Sequence, residues 1–174
     1  DGAAYHQLQE ELKAAFDSVV LDLPRSMMVQ HPHLVSELQA AVVVTELTLA
    51  ATRDAIRILS WLKANAPSAR VIIVANRVMP AQSEVSHKDF EASIERKIDI
   101  VVPHDPKLAI QAAKLGKPLA EVAKGSKLAS PLHHLATTLL DVANLGADAK
   151  PAGKSLLDKL GGLKSLIPTK KPKE

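Results

Sequence analysis

The sequence predicts an α/β fold, a parallel, doubly wound sheet flanked by helices. Short continuous apolar runs alternate with longer stretches of helical periodicity, and two of those stretches have explicit caps at their starts. Val71-Ile72-Ile73-Val74-Ala75 is the clearest strand, too short and too β-branched to be a helix. Ala40 to Val44 has the same character, Ile98 to Val102 gives another strand closed by Pro103, and Val19-Val20-Leu21 is expected as a short buried one.

The helices follow from spacing and caps. Tyr5, Leu8, Leu12 and Ala15-Phe16 recur at helical intervals, which predicts an amphipathic helix ahead of the first strand. Thr48 to Asn65 repeats the pattern, with Leu49, Ile56, Leu59 and Leu62 on one expected inward face and Pro67 beyond its end. Trp61 falls at the same spacing and is expected in the core or at a subunit contact. Ser86 and Asp89 can form a capping box for a shorter helix carrying Phe90 and Ile94. Asp105 precedes Pro106, which suits a first helical position, and Gly116 stands where that helix should stop. Ser126 can cap a last helix to about Ala143, with Leu128, Leu132, Leu135 and Leu139 inward, and His33 can begin a short one from Leu34 to Leu38.

Composition bounds the function. A chain of 174 residues can bury a proper core, and with only four aromatic residues that core must be aliphatic. There is no cysteine, so disulfides and thiolate metal sites are excluded. No apolar run approaches membrane-spanning length, and the profile fits a cytoplasmic protein. The chain starts at Asp1, which suggests a processed or truncated product. Residues 150–174 hold seven Lys against Asp158 and Glu174; of the +3 total, +5 therefore lies there and −2 in residues 1–149. The basic pI is a property of the tail and gives no reason to expect nucleic-acid binding.

In a parallel sheet of this kind, ligands lie beyond the carboxyl ends of the strands. The residues to inspect are therefore Asp22 to Ser26, Thr45-Glu46, Asn76-Arg77 and Pro103 to Asp105. Asp22 closes an expected strand, where a rigid carboxylate can hold Mg²⁺ beside phosphates or merely cap a turn. An amide such as that of Asn76 offers both a donor and an acceptor, enough to pair with the edge of adenine; equally, Asn tolerates strained loops. Asp105 before Pro106 is a good helix start in its own right.

Motif order adds to these readings. Phe16 to Pro24, FDSVVLDLP, resembles the "YDxVxxDxP" strand of the ParA/MinD group of P-loop ATPases. Val71 to Val78, VIIVANRV, resembles that group's adenine-side strand, and Val102-Pro103-His104-Asp105 is similar to its "(I/V)PxD" loop. Ala113 to Pro118, AKLGKP, matches the helix end that follows. Within the group the chain looks most like the CpaE/TadZ-type pilus assembly ATPases, in Thr45-Glu46, Arg53-Asp54 and the run GKPLAEVAKGSKLASPLHHLA from Gly116 to Ala136. The departures are Arg25, where the group often has a small residue or proline, and Leu47, where a proline is common.

The resemblance covers roughly residues 5 to 140 and implies a P-loop NTPase-like sheet that is incomplete on its N-terminal side. Residues 1–145 would be the C-terminal portion of an ATPase domain and 146–174 a basic, partly amphipathic tail. It implies ATP or ADP with Mg²⁺ as cofactors, with Asp22 as the acid on the metal side. Asn76 and Asp105 would lie on the adenine side, with Arg77 and Pro103 shaping the same pocket. It further implies a nucleotide-dependent homodimer switch that works with pilus or secretion machinery, in the cytoplasm, at the inner membrane or at the cell pole. A non-hydrolysing scaffold on the same fold and a partition or positioning ATPase are the alternatives.

Nothing ahead of Asp22 resembles the glycine- and lysine-rich loop that surrounds phosphates in this group. Gly153-Lys154-Ser155 gives half of such a motif, but the glycine required five positions earlier is Asp148, and Pro151 interrupts the stretch. Alone, the chain is expected to bind ATP weakly and to hydrolyse almost none. His31-Pro32-His33 and His133-His134 lack the supporting ligands a metal site needs and are expected at the surface. Between residues 154 and 167, Leu156, Leu160, Leu163 and Ile167 share one helical face among lysines. That pattern suits an anionic membrane surface, a docking helix or a solvated tail, and Gly161-Gly162 weakens the helix by about 1 kcal/mol per glycine.

Overall fold

The structure is a computed structural model and describes residues 2–79 and 82–146. Its centre is a three-stranded parallel sheet in the order β1-β2-β3, formed by Ala40–Thr45, Arg70–Val78 and Ile100–Pro103. β1 and β2 run in register from Ala40 opposite Arg70 to Thr45 opposite Ala75. β2 and β3 pair from Val74 opposite Ile100, then break register between Ala75 and Val78 before Val78 meets Pro103.

Helices cover both faces, as the continuous apolar strands require. On one face lie α3 (Leu49–Asn65), α4 (His87–Ile94) and a 3-10 turn at Pro32–Val35, packed on Val43, Ile73 and Ala75 with Phe90 fully buried. On the other face lie α6 (Leu119–Val122) and α7 (Ala129–Gly146). There Leu128, Leu132, Leu135 and Leu139 pack on Ile72, Val74, Ile100 and Val102. The helices α1 (Gly2–Ala15), α2 (Arg25–Gln30) and α5 (Pro106–Leu115) complete the described elements.

The caps behave as the residues dictate. Asp105 Oδ1 accepts from the Leu108 amide at 3.0 Å, Pro106 opens α5, and Gly116 closes it at φ 60°. The Ser86 hydroxyl accepts from the Asp89 amide at 3.1 Å and donates to the Asp89 carboxylate at 2.6 Å. Thr48 caps α3 by accepting from Ala51 at 3.1 Å. Asp99 ties β3 to the middle of β2: its amide donates to the Ile73 carbonyl at 3.0 Å, and its carboxylate accepts from the Ile73 amide at 2.6 Å.

Four sequence expectations are corrected. Val19-Val20-Leu21 is not a strand: residues 17–24 carry no regular secondary structure, and Val20 is 87% exposed. A strand needs a neighbour to hold its backbone groups, and no described strand lies beside this segment. Leu49 and Ile56 do not share the buried face of α3, which is Thr52, Ala55 and Leu62; the face packed toward β1, the 3-10 turn and α4 leaves both residues outward. On α1, Leu8 and the adjoining Phe16 are exposed, because that helix has only a small surface to lie against. The short helix expected from Leu34 is a 3-10 turn beginning at Pro32. Trp61 packs at the margin of the core under α3.

Candidate functional site

The carboxyl ends of β1, β2 and β3 meet on one side of the sheet. A cavity of about 300 Å³ opens there, between the end of β1 and the start of α3. Thr45, Glu46 and Asn76 line it from the strand ends, Ala51 and Asp54 from α3, and Arg25 from the first turn of α2. Thr48 occupies one of the free amides of the α3 N-terminus, and the Glu84 carboxylate accepts from another, that of Leu49, at 3.2 Å.

The charges at the rim are paired. Arg25 reaches Asp54 at 2.7 Å, and Arg77 reaches Glu46 at 3.1 Å. The second pair joins the ends of adjacent strands, since Glu46 follows Thr45, whose register partner Ala75 lies two residues before Arg77. Aligning the two strand ends would have brought out this contact, which reading each strand separately misses.

The irregular end of β2 is the most distinctive local feature. Asn76 and Arg77 lie within the register break, and Arg77 has φ 54°, in the left-handed region that favours glycine. Asn76 Oδ1 accepts from the Arg77 amide at 2.9 Å and so stabilises that conformation from the preceding side chain. An outlier of this kind costs on the order of 1 kcal/mol or more, and such outliers concentrate where backbone geometry serves a site.

The sheet brings four of the sequence-derived residues to one end. Asn76 and Arg77 sit beside Pro103 and Asp105 through the pairing of Val78 with Pro103, and the His104 amide donates to the Val78 carbonyl at 3.1 Å. Asp22 stands elsewhere. It is exposed in the segment 17–24 and lines a larger groove along β1, while Arg25 borders both cavities. A lone exposed carboxylate is the kind of hard oxygen ligand Mg²⁺ takes, one at a time, beside phosphates and water.

The histidines expected at the surface, His31, His33, His133 and His134, are all exposed. One group that sequence reading missed is His6, Glu10 and Glu37, whose ligand atoms lie within 4.8 Å of one another. Lys13 already takes that position, bonding Glu10 at 2.9 Å and also Glu37, whose carboxyl it holds below the usual range. Among the described residues no helix is long and apolar enough to cross a membrane, and the amphipathic stretch 154–167 lies outside the described residues.

Comparison with known proteins places these features in context. Over 119 residues the chain is 29% identical to the septum site-determining protein MinD of Synechocystis, covering 64% of this chain and 43% of that protein. The MinD cell division protein of Aquifex aeolicus superposes with a TM-score of 0.69 at 19% identity, over 88% of this chain and 64% of its own. A ParA family ATPase from Chlorobium tepidum gives 0.70 at 22% identity, over 79% of this chain and 57% of its own. The chain is thus similar in sequence to MinD over the matched stretch and shares its fold with MinD and ParA proteins. No protein-family model matches it. Its parallel sheet with flanking helices is the MinD/ParA P-loop fold, present in part, and it spans less than half the length of the curated MinD it matches. The likeness is to MinD and ParA; the pilus-assembly subgroup is a finer assignment than these comparisons carry.

Proposed function

We propose that this chain is the C-terminal portion, residues 1–145, of an ATP-binding positioning or partition ATPase of the MinD/ParA kind, followed by a basic tail. The observation that supports it best is the end of β2, where Asn76 lines a cavity at the strand carboxyl ends and supports the left-handed Arg77 that follows it. Asn76 and Asp105 would face adenine, with Arg77 and Pro103 shaping the pocket. Asp22 would hold Mg²⁺, directly or through water; the ion would neutralise charge developing on the phosphates. The described residues supply no backbone cradle for those phosphates, so the chain alone binds nucleotide weakly and hydrolyses almost none.

ATP would bring two copies together, and hydrolysis would release them. MinD of Aquifex aeolicus is known in complex with MinC, and a corresponding partner is part of this proposal. A more specific reading, assembly of a Flp/Tad-type pilus, is supported by Glu46 and Asp54, two residues of the sequence resemblance that both form ion pairs at the cavity rim.

The test is nucleotide affinity in the full-length polypeptide, measured by calorimetry with ADP and Mg²⁺. Asn76→Ala is expected to weaken binding about tenfold, the effect of losing one to two hydrogen bonds to the base. Unchanged affinity removes Asn76 from the pocket, and no detectable nucleotide binding by the unsubstituted protein rejects the ATPase reading.

A further inference from the structure

The ion pairs around the cavity at the strand carboxyl ends join three arginines to two acids. The acids, Glu46 and Asp54, both line the cavity. Arg77 takes Glu46 at 3.1 Å. Asp54 has two partners, Arg25 at 2.7 Å and, from its own helix, Arg57 at 3.6 Å. Glu84, at the start of α3, bonds the Leu49 amide and is not part of the lining. One guanidinium is therefore in excess of the acids that line the cavity, and its charge is open to a bound anion.

Arg25 is the arginine placed to use it. It lines the cavity, whereas Arg57 and Arg77 do not. Among the described residues it is also the only charged side chain that lines both this cavity and the neighbouring groove in which Asp22 stands. Its side chain is 46% exposed, so a ligand can reach it. A guanidinium has five N–H donors, and the contact with Asp54 runs through Nη1 alone. Nε and Nη2 can therefore meet a second anion, and the planar fork matches two phosphate oxygens at once. A swing of Arg25 away from Asp54 leaves Arg57 beside that carboxylate, so the move strands no charge.

We propose that Arg25 binds the terminal phosphates of the nucleotide. The inference rests on the ATPase reading and deepens it, giving the phosphates a side-chain contact where the described residues supply no backbone cradle. The order of the site supports the assignment. Asn76 lines the cavity, Asp22 lines the groove, and Arg25 lines both. A phosphate chain that joins a base at Asn76 to a metal ion at Asp22 passes Arg25.

Calorimetry on the full-length polypeptide, with Mg²⁺ and either ATP or AMP, tests it. Arg25→Ala is expected to weaken ATP binding about tenfold, the low end for a hydrogen bond to a charged group because the side chain is half exposed. AMP, which lacks the terminal phosphates, is expected to change by less than about twofold. Arg25→Lys keeps the charge without the fork and is expected to recover part of the ATP affinity. Arg57→Ala removes the same charge outside the lining and is expected to cost less than about twofold for ATP. Unchanged ATP affinity in Arg25→Ala overturns the proposal and leaves the ATPase reading in place. Equal losses for ATP and AMP do the same, as does an Arg57→Ala loss as large as that of Arg25→Ala. No nucleotide binding by the unsubstituted protein overturns both.

Discussion

Asp105 is the N-cap of α5 and is proposed to lie on the adenine side as well, and substitution separates the two roles. Its Oδ1 accepts the Leu108 amide at 3.0 Å as the N-cap of α5, and the resemblance places the same carboxylate on the adenine side. Asp105→Ala removes the cap, a loss of about 1 kcal/mol within a range of roughly 0.5–2. For a domain of this size that is a fall in melting temperature of about 4 °C. Asp105→Asn caps a helix about as well as aspartate, so it is expected to melt with the unsubstituted chain. Nucleotide affinity in the full-length protein then reads the second role. Loss of one charge-assisted hydrogen bond is worth about 1.5–3 kcal/mol, so Asp105→Asn is expected to weaken ADP binding roughly 10- to 100-fold at unchanged stability. An Asp105→Ala melting temperature equal to the parent's refutes the capping argument. An Asp105→Asn affinity equal to the parent's leaves Asp105 as a cap and nothing more.

Two further outcomes concern the sheet and the loop behind it. Asp99→Ala strips the partner from the fully buried Ile73 amide and is expected to destabilise the chain by about 1–3 kcal/mol in urea unfolding, while Asp99→Asn recovers part of the loss. The Glu91 carboxylate accepts from Lys97 at 2.6 Å and from the Ile98 amide at 2.9 Å, and those bonds, the lysine first, hold its pKa below the usual glutamate value. A depressed carboxylate stabilises the fold above its unfolded pKa and loses that contribution as pH falls through the folded one. The urea midpoint should therefore drop on acidification below about pH 4.5, the ordinary glutamate value, and Glu91→Gln should flatten that part of the curve. A variant curve parallel to the parent's would show that Glu91 contributes nothing to the acid limb.

Much of the fold and part of the site were legible in the residues. The strands at Ala40–Thr45, Arg70–Val78 and Ile100–Pro103 follow from runs of β-branched residues, and two helix starts follow from Ser86 and Asp105, each of which makes the cap bond its position predicts. Local chemistry determines these features, because a cap or a buried run needs only its near neighbours in sequence. Asn76 could be picked out as the amide after the best strand. That Arg77 adopts the left-handed conformation, with the Asn76 side chain supporting it, could not.

What only the tertiary structure decided depends on partners distant in sequence. Val19-Val20-Leu21 has the composition of a strand, yet a strand exists only when another lies alongside to take its backbone groups, and among the described residues none does. The ion pairs Arg25–Asp54 and Arg77–Glu46 arise because helix start and strand ends converge, which no spacing rule encodes. By itself the sequence determined the three strands of the sheet, the longer helices and the caps at Ser86 and Asp105. The packing of both layers decided that residues from each of them, with Asp17 to Leu23, line the groove along the side of β1 that pairs with no strand among the described residues.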